Sequence, residues 1–166
     1  MAHNPKIEKL DGVIRSSLYQ EFGEMITSLQ GCYVTAEDVG THVADMANVF
    51  SQTRFTTCIP PSLGGSGNPS VPPARGVVCG MEAALEFLGE KGLEGKTVAV
   101  QGMGNVGAQL IKFLFEKNVR KVIACDINQQ LADRLTNEFA GKNFEAKVVP
   151  LCDHNFFASE CDILSP

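Results

Sequence analysis

Three glycines at positions 102, 104 and 107 have the spacing G-x-G-x-x-G, which is typical of turns that bind the diphosphate of a dinucleotide. The apolar run before them predicts a strand, and the run after them predicts a helix that begins inside the pattern. A second predicted strand ends at Asp126, nineteen residues after Gly107. An acid at this spacing is typical of the residue that binds the adenosine ribose.

Each position of the glycine pattern has a physical role in such a site. Gly102 permits the tight turn, Gly104 lets the phosphates approach the backbone, and Gly107 lets the helix pack closely on the sheet. The helix begins at Asn105 and Val106, and its unpaired amides and positive dipole end attract phosphate.

Asp126 predicts which dinucleotide is bound. Its carboxylate would accept hydrogen bonds from ribose hydroxyls and repel a 2′-phosphate, so NAD is expected rather than NADP. Two simpler explanations stay open from the residues alone. The glycine spacing can arise by chance in a chain with 16 glycines, and Asp126 can simply end a strand.

The elements around the motif indicate an α/β fold. From residue 96 to 166, predicted strands alternate with helices, which implies a parallel sheet with right-handed crossovers. This is about one βαβαβ half of a Rossmann-type sheet. The preceding part is predicted to be mostly helical. One helix is expected over 5–29, a second begins at an N-cap on Thr41, and a third covers about 74–90. A short strand is predicted at 33–35 and a long Pro/Gly-rich loop over 58–73. Asn4 and Pro5 are expected to start the first helix, whose apolar stripe should pack against a core.

Composition excludes several classes of function. A net charge of −5 disfavours nucleic-acid binding, and no apolar run is long enough to span a membrane. The start of the sequence lacks the apolar core of a signal peptide, so a cytoplasmic protein with reduced cysteines is expected. No metal is expected, because Cys152 and His154 alone do not supply a tetrahedral zinc site.

Several motifs in order resemble the glutamate/leucine/phenylalanine/valine dehydrogenase family, with the leucine and valine branch most similar. They are GCYVTAEDVGT, GGSGNPS, ARGV, LEGKTVAVQGMGNVG, ACDIN and CDILSP. The resemblance implies NAD-dependent oxidative deamination of an L-amino acid to a 2-oxo acid and ammonia, in homo-oligomers with a cleft between a substrate domain and a cofactor domain. It also implies that Asp38 acts in proton transfer. Glu37 and Asp38 are neighbours, so in an extended segment only one of them can face a cleft. The simpler alternative is that both acids are exposed at the end of a strand and have no catalytic role.

The resemblance also defines expected domains and departures. Residues 1–73 correspond to part of the substrate domain, 74–95 to a connecting helix and 96–166 to the N-terminal half of the NAD-binding domain. Pro73 stands where the family has a threonine that contacts the nicotinamide, and Lys6 and Lys9 do not replace the family's two catalytic lysines. We therefore expect this chain alone to be inactive. We also expect it to be prone to associate, because a half-built sheet leaves an unpaired edge. The alternative is a non-catalytic nucleotide-binding or interaction module derived from the family.

Overall fold

The computed structural model describes residues 12–150 and 154–166. The chain divides into two compact units, of which the first ends at Pro69 and the second begins at Ser70. Within the described ranges, no helix is long and apolar enough to cross a membrane. Several residues considered above lie outside the described part: Asn4, Pro5, Lys6, Lys9, Cys152 and the side chain of His154.

The first unit is built on two packed helices. Helices α1 (Gly12–Ser28) and α2 (Val43–Phe50) pack against each other. Met46, Val49 and Cys58 form the buried core, and Tyr19, Phe22 and Ile59 pack against it. A short 3₁₀ helix, Pro61–Leu63, lies in the segment that follows.

The expectation that the apolar stripe of α1 packs against a core is largely wrong. Ile26 is fully buried, but other members of the stripe are exposed, namely Val13, Ile14, Leu18, Met25 and Leu29. The reason is the face of α1 that α2 covers, because its contacts run through Arg15, Ser16 and Gly23. Leu18 lies between these positions, so its exposure reflects a different face of the helix rather than the end of α2. Helical periodicity therefore identified the element but not the extent of its buried face.

Three local predictions in this unit are corrected. Residues 33–35 do not form a strand, because Thr35 makes only an isolated parallel bridge to Thr56. The N-cap of α2 is His42 rather than Thr41, whose hydroxyl bonds to Asp38 instead. The predicted loop over 58–73 is interrupted by the 3₁₀ helix and ends early.

The second unit begins with helix α3 (Val71–Phe87), three residues before its predicted start. Pro72 and Pro73 fit its first turn, where backbone N–H groups have no intrahelical acceptor. Strands and helices then alternate: β1 (Thr97–Gln101), α4 (Asn105–Glu116), β2 (Lys121–Asp126), α5 (Gln129–Glu138), β3 (Phe144–Val148) and β4 (Ile163–Ser165).

The four strands form one parallel sheet in the order β3-β2-β1-β4. Successive strand residues point to opposite faces, so Val98 and Val100 join the large core with α3, α4 and α5, whereas Ala99 joins a smaller cluster with Phe156. This order is one three-stranded half of a doubly wound sheet plus the first strand of the other half, which confirms the predicted α/β class and the partial Rossmann-type sheet.

Candidate cofactor and proton-transfer sites

The glycine turn lies at the carboxyl end of β1. Gly102 follows the strand with φ of +95°, a left-handed conformation that side chains disfavour. Its N–H donates to the carbonyl of Cys125 at 2.7 Å, which continues the parallel ladder to β2 into the turn. The turn is therefore fixed by the same backbone pairing that builds the sheet.

Gly104 and Gly107 differ in what surrounds them. A Cβ at Gly107 would lie 2.0 Å from the carbonyl oxygen of Gly102, so α4 can approach the turn only because this position has no side chain. A Cβ at Gly104 would have no protein atom within 4 Å. Gly107 is therefore required by packing within the unit, whereas Gly104 leaves open space above the backbone.

The first turn of α4 presents free backbone donors. The first i to i−4 bond runs from the N–H of Ala108 to the carbonyl of Gly104, at 2.9 Å. The amides of Asn105, Val106 and Gly107 precede that bond and have no intrahelical acceptor. Asn105 and Val106 are exposed, so their amides and the positive end of the helix dipole are accessible to an anion.

Asp126, at the end of β2, contacts the glycine turn directly. Its Oδ2 accepts the N–H of Met103 at 2.7 Å, and its Oδ1 accepts the N–H of Asn128 at 2.9 Å. The residue is half-buried, and an ionised carboxylate has about four acceptor positions, so two are left for ribose hydroxyls. Residue types did not predict the bond to Met103, but the register Gln101↔Cys125 places Asp126 beside the turn.

The structure thus brings together all the residues that the sequence predicted to bind the cofactor. They meet at the carboxyl ends of β1 and β2, where open α/β sheets bind their ligands. The residues present fit a dinucleotide diphosphate and ribose: Gly102, Gly104, Asn105, Val106, Gly107 and Asp126. Their role in binding stays a prediction.

A separate cleft of the second unit lies at the opposite, amino-terminal ends of the strands. Most of its charged lining residues pair with one another, as in the ion pairs of Lys121 with Glu145 at 2.5 Å and Arg120 with Asp162 at 3.6 Å. We do not assign the cofactor to this cleft, because it is at the wrong end of the sheet for the glycine turn.

Asp38 lies in an exposed turn of the first unit, before α2. Its backbone N–H donates to the hydroxyl of Thr41, and that hydroxyl donates to the carbonyl of Asp38, both at 2.7 Å. The carboxylate Oδ1 accepts the N–H of Val39 at 2.8 Å. Asp38 is therefore solvent-accessible and held in place by its own turn.

Glu37 has the opposite environment. Its Oε2 is buried and has no hydrogen-bond partner among the described residues. Burial raises the pKa of Glu37, an effect that His42 partly opposes and that Asp45 reinforces. The two neighbouring acids therefore differ as expected for an extended segment, with Glu37 half-buried and Asp38 exposed.

The GGSGNPS segment folds back on the chain before it. The N–H groups of Gly65 and Gly67 donate to Pro60 and Ile59, at 3.2 and 3.0 Å. A Cβ at Gly65 would lie 2.1 Å from the carbonyl oxygen of Ile59, so this close approach requires glycine. Two backbone hydrogen bonds and one close approach therefore fold this segment onto residues 59 and 60.

Comparison with known proteins relates this geometry to a family. Residues 64–134 match the family model described as glutamate/leucine/phenylalanine/valine dehydrogenase. The chain is 43% identical over 151 residues to a leucine dehydrogenase from Geobacillus stearothermophilus, covering 90% of this chain and 39% of that protein. It is 44% identical over 118 residues to a valine dehydrogenase from Streptomyces virginiae, covering 70% of this chain and 33% of the relative.

Solved structures of similar proteins share the fold. An L-tryptophan dehydrogenase from Nostoc punctiforme superposes with a TM-score of 0.58 at 26% identity, covering 91% of this chain and 40% of that one. A hetero-hexameric glutamate dehydrogenase from Thermus thermophilus gives a TM-score of 0.71 at 22% identity, covering 98% of this chain and 42% of that one. The chain thus spans about two-fifths of the length of these relatives.

Proposed function

The chain belongs to the glutamate/leucine/phenylalanine/valine dehydrogenase family, and from this premise we propose that it serves the NAD-dependent oxidative deamination of an L-amino acid, branched-chain or related, to a 2-oxo acid and ammonia. The observation that carries the proposal is the turn from Gly102 to Gly107, with free amides at the start of α4 and Asp126 bonded to its backbone.

The residues of the second unit would hold the cofactor. The amides of Asn105, Val106 and Gly107 would donate to the diphosphate, and the open space above Gly104 allows it to approach. The free acceptor positions of Asp126 would bind the ribose hydroxyls, and its negative charge would repel the 2′-phosphate of NADP. When bound, NAD supplies the acceptor for the hydride removed from the substrate.

Asp38 would act in proton transfer during the deamination. Its carboxylate is exposed, and one of its two oxygens accepts only the adjacent Val39 amide, so acceptor positions are free for a substrate proton. A carboxylate can transfer a proton once the reacting group lies within hydrogen-bond reach.

We also propose a division into domains. Residues 1–73 form part of a substrate domain, residues 96–166 form half of an NAD-binding domain, and residues 74–95 connect the two. Homo-oligomerisation and a cytoplasmic location stay predictions.

Calorimetric titration of the full chain with NAD and NADP tests the cofactor assignment. We expect NAD to bind more tightly than NADP and Asp126→Asn to reduce this preference. An absence of NAD binding, or tighter binding of NADP, would contradict it. NADH formation at 340 nm with leucine, valine, phenylalanine and glutamate then tests the reaction.

One observation favours a second candidate function. The sequence contains no lysine between Lys9 and Lys91, so the described part of the first unit has none. A lysine whose pKa is lowered by burial is a suitable general base near neutral pH. Formation of NADH by this chain would exclude the role of a nucleotide-binding module. NAD binding without NADH formation fits that role, and it equally fits the inactivity expected of this chain alone.

A further inference from the structure

A buried ion pair crosses the two helices of the first unit. Arg15 of α1 donates from Nε to Oδ1 of Asp45 and from Nη2 to Oδ2, both at 2.7 Å. Asp45 of α2 is 4% exposed, and the Arg15 side chain is 17% exposed. Two parallel bonds between planar groups fix orientation as well as distance.

Both members of the pair also bond to the backbone between the helices. Nη2 of Arg15 donates to the carbonyl of Gly40 at 2.8 Å, and Oδ2 of Asp45 accepts the N–H of His42 at 2.8 Å. The two contacts lie on either side of Thr41. The ion pair therefore fixes the backbone immediately before and after this residue.

Thr41 in turn holds Asp38. Its N–H donates to the carbonyl of Asp38 at 2.9 Å, in addition to the two bonds of its hydroxyl. The chain of contacts runs from Arg15 and Asp45 through Gly40 and His42 to Thr41, and from there to Asp38. Apart from the peptide bonds that join Thr41 to Gly40 and His42, every step is a hydrogen bond of 2.9 Å or less.

We propose that Arg15 and Asp45 are positioning residues, whose bidentate pair holds the turn 38–42 and thereby the backbone that carries the Asp38 carboxylate. This inference rests on the proposed role of Asp38. A general contribution to stability does not account for the arrangement, because apolar residues of similar volume often replace a buried ion pair at no loss of stability. They would not replace the bonds to Gly40 and His42.

The first test replaces the planar guanidinium of Arg15 but keeps its positive charge. In Arg15→Lys, a single ammonium cannot bond both Asp45 oxygens and Gly40 with the same geometry. We expect ¹⁵N order parameters for residues 39–41 to fall from about 0.85 to below about 0.6, while those of α2 stay near about 0.85. Unchanged order parameters in the turn would overturn the proposal.

A second variant keeps the test decisive if Arg15→Lys fails to fold. Arg15→Met combined with Asp45→Leu removes both members of the pair together, so that neither is left as a buried charge without the other. We expect α2 to stay ordered and the turn 39–41 to become mobile. A rigid turn in this double variant would show that the pair does not hold it.

Arg54 provides a matched control. Arg15 lies over the ring of Tyr19 at 5.2 Å, and Arg54 lies over the ring of Phe55 at 5.1 Å, so both arginines make the same cation–π contact. Arg54→Lys should leave residues 39–41 at wild-type order. A mobile turn in this control would show that the loss of order is not specific to the Arg15 guanidinium, and it would overturn the proposal.

The order parameters require neither substrate nor NAD, so they separate the inference from the proposed function. If Arg15→Lys loosens the turn, and the wild-type chain forms NADH at a rate that Asp38→Asn does not change, the turn anchor stands and the assigned role of Asp38 fails. If the turn stays rigid in both Arg15 variants but Asp38→Asn abolishes NADH formation, the role of Asp38 stands and the anchor fails.

Discussion

The two units fix their candidate functional groups by different means. In the second unit, main-chain bonds hold the glycine turn, as Gly102 continues the ladder from β1 to β2 and Met103 donates to Asp126. In the first unit, the exposed turn at Asp38 is held by side chains, and its anchor is an ion pair between residues 30 positions apart. Sheet register therefore places one site, and a long-range side-chain contact places the other.

The largest effect is expected from Gly107→Ala. Its Cβ would lie 2.0 Å from the Gly102 carbonyl oxygen, a backbone atom that cannot move without opening the turn. We expect a loss of about 3 kcal/mol or more in the stability of the second unit and no detectable NAD binding in calorimetry.

Gly104→Ala is the control for that variant. Its Cβ meets no protein atom within 4 Å, and its φ of −71° is allowed for alanine. We therefore expect wild-type stability together with weaker NAD binding. Equal destabilisation by the two substitutions would show that close packing does not explain Gly107.

The equivalent test in the first unit is Gly23→Ala. A Cβ there would lie 2.7 Å from the carbonyl oxygen of Val49, where α1 crosses α2. We expect a loss of about 1–3 kcal/mol, since the helices can shift apart slightly. Tyr19 and Tyr33 are the only tyrosines of the chain, which has no tryptophan, so tyrosine fluorescence during urea unfolding reports on this unit alone.

Gly12→Ala is the matched substitution in the same helix, because a Cβ at Gly12 would meet nothing within 4 Å. Alanine favours helix over glycine by up to about 1 kcal/mol, so this variant should be as stable as wild type or more stable. A loss like that of Gly23→Ala would mean that packing on α2 is not the cause.

The same contrast explains what the sequence could predict. The strand, turn and helix around Gly102 follow from local patterns, and the acid at position 126 follows from spacing, so the predicted cofactor residues converge in the structure. Arg15 was not predicted, because an arginine within an amphipathic helix is ordinarily part of its solvated face. The exposed part of the α1 stripe was also not predictable, because it depends on which face of α1 packs on α2 rather than on the sequence of α1 itself.

Glu37→Gln tests the electrostatics of the first unit. Burial raises the pKa of Glu37 above its ordinary value of 4.5, so the folded unit retains a proton that the unfolded chain releases. Stability should therefore fall as pH rises from 4.5 through the raised value. We expect Glu37→Gln to be about 1 kcal/mol more stable than wild type at pH 7 and no more stable at pH 4, in urea unfolding followed by tyrosine fluorescence. An equal gain at both pH values would exclude ionisation as the cause.

Glu145 should give the smallest effect, with the opposite sign, in the second unit. Hydrogen bonds from Lys121 and, secondarily, Lys147 hold the pKa of Glu145 below its ordinary value of 4.5, while partial burial opposes them. The stabilisation is therefore complete above pH 4.5 and is lost as pH falls through the lowered value. Because the side chain is 42% exposed, solvent screening should limit the loss in Glu145→Gln to a few tenths of a kcal/mol at pH 7, measured by hydrogen exchange of β2 amides. A loss that is the same at pH 3 and pH 7 would mean that these ion pairs do not stabilise the sheet, and the difference in sign between the two units would then rest on Glu37 alone.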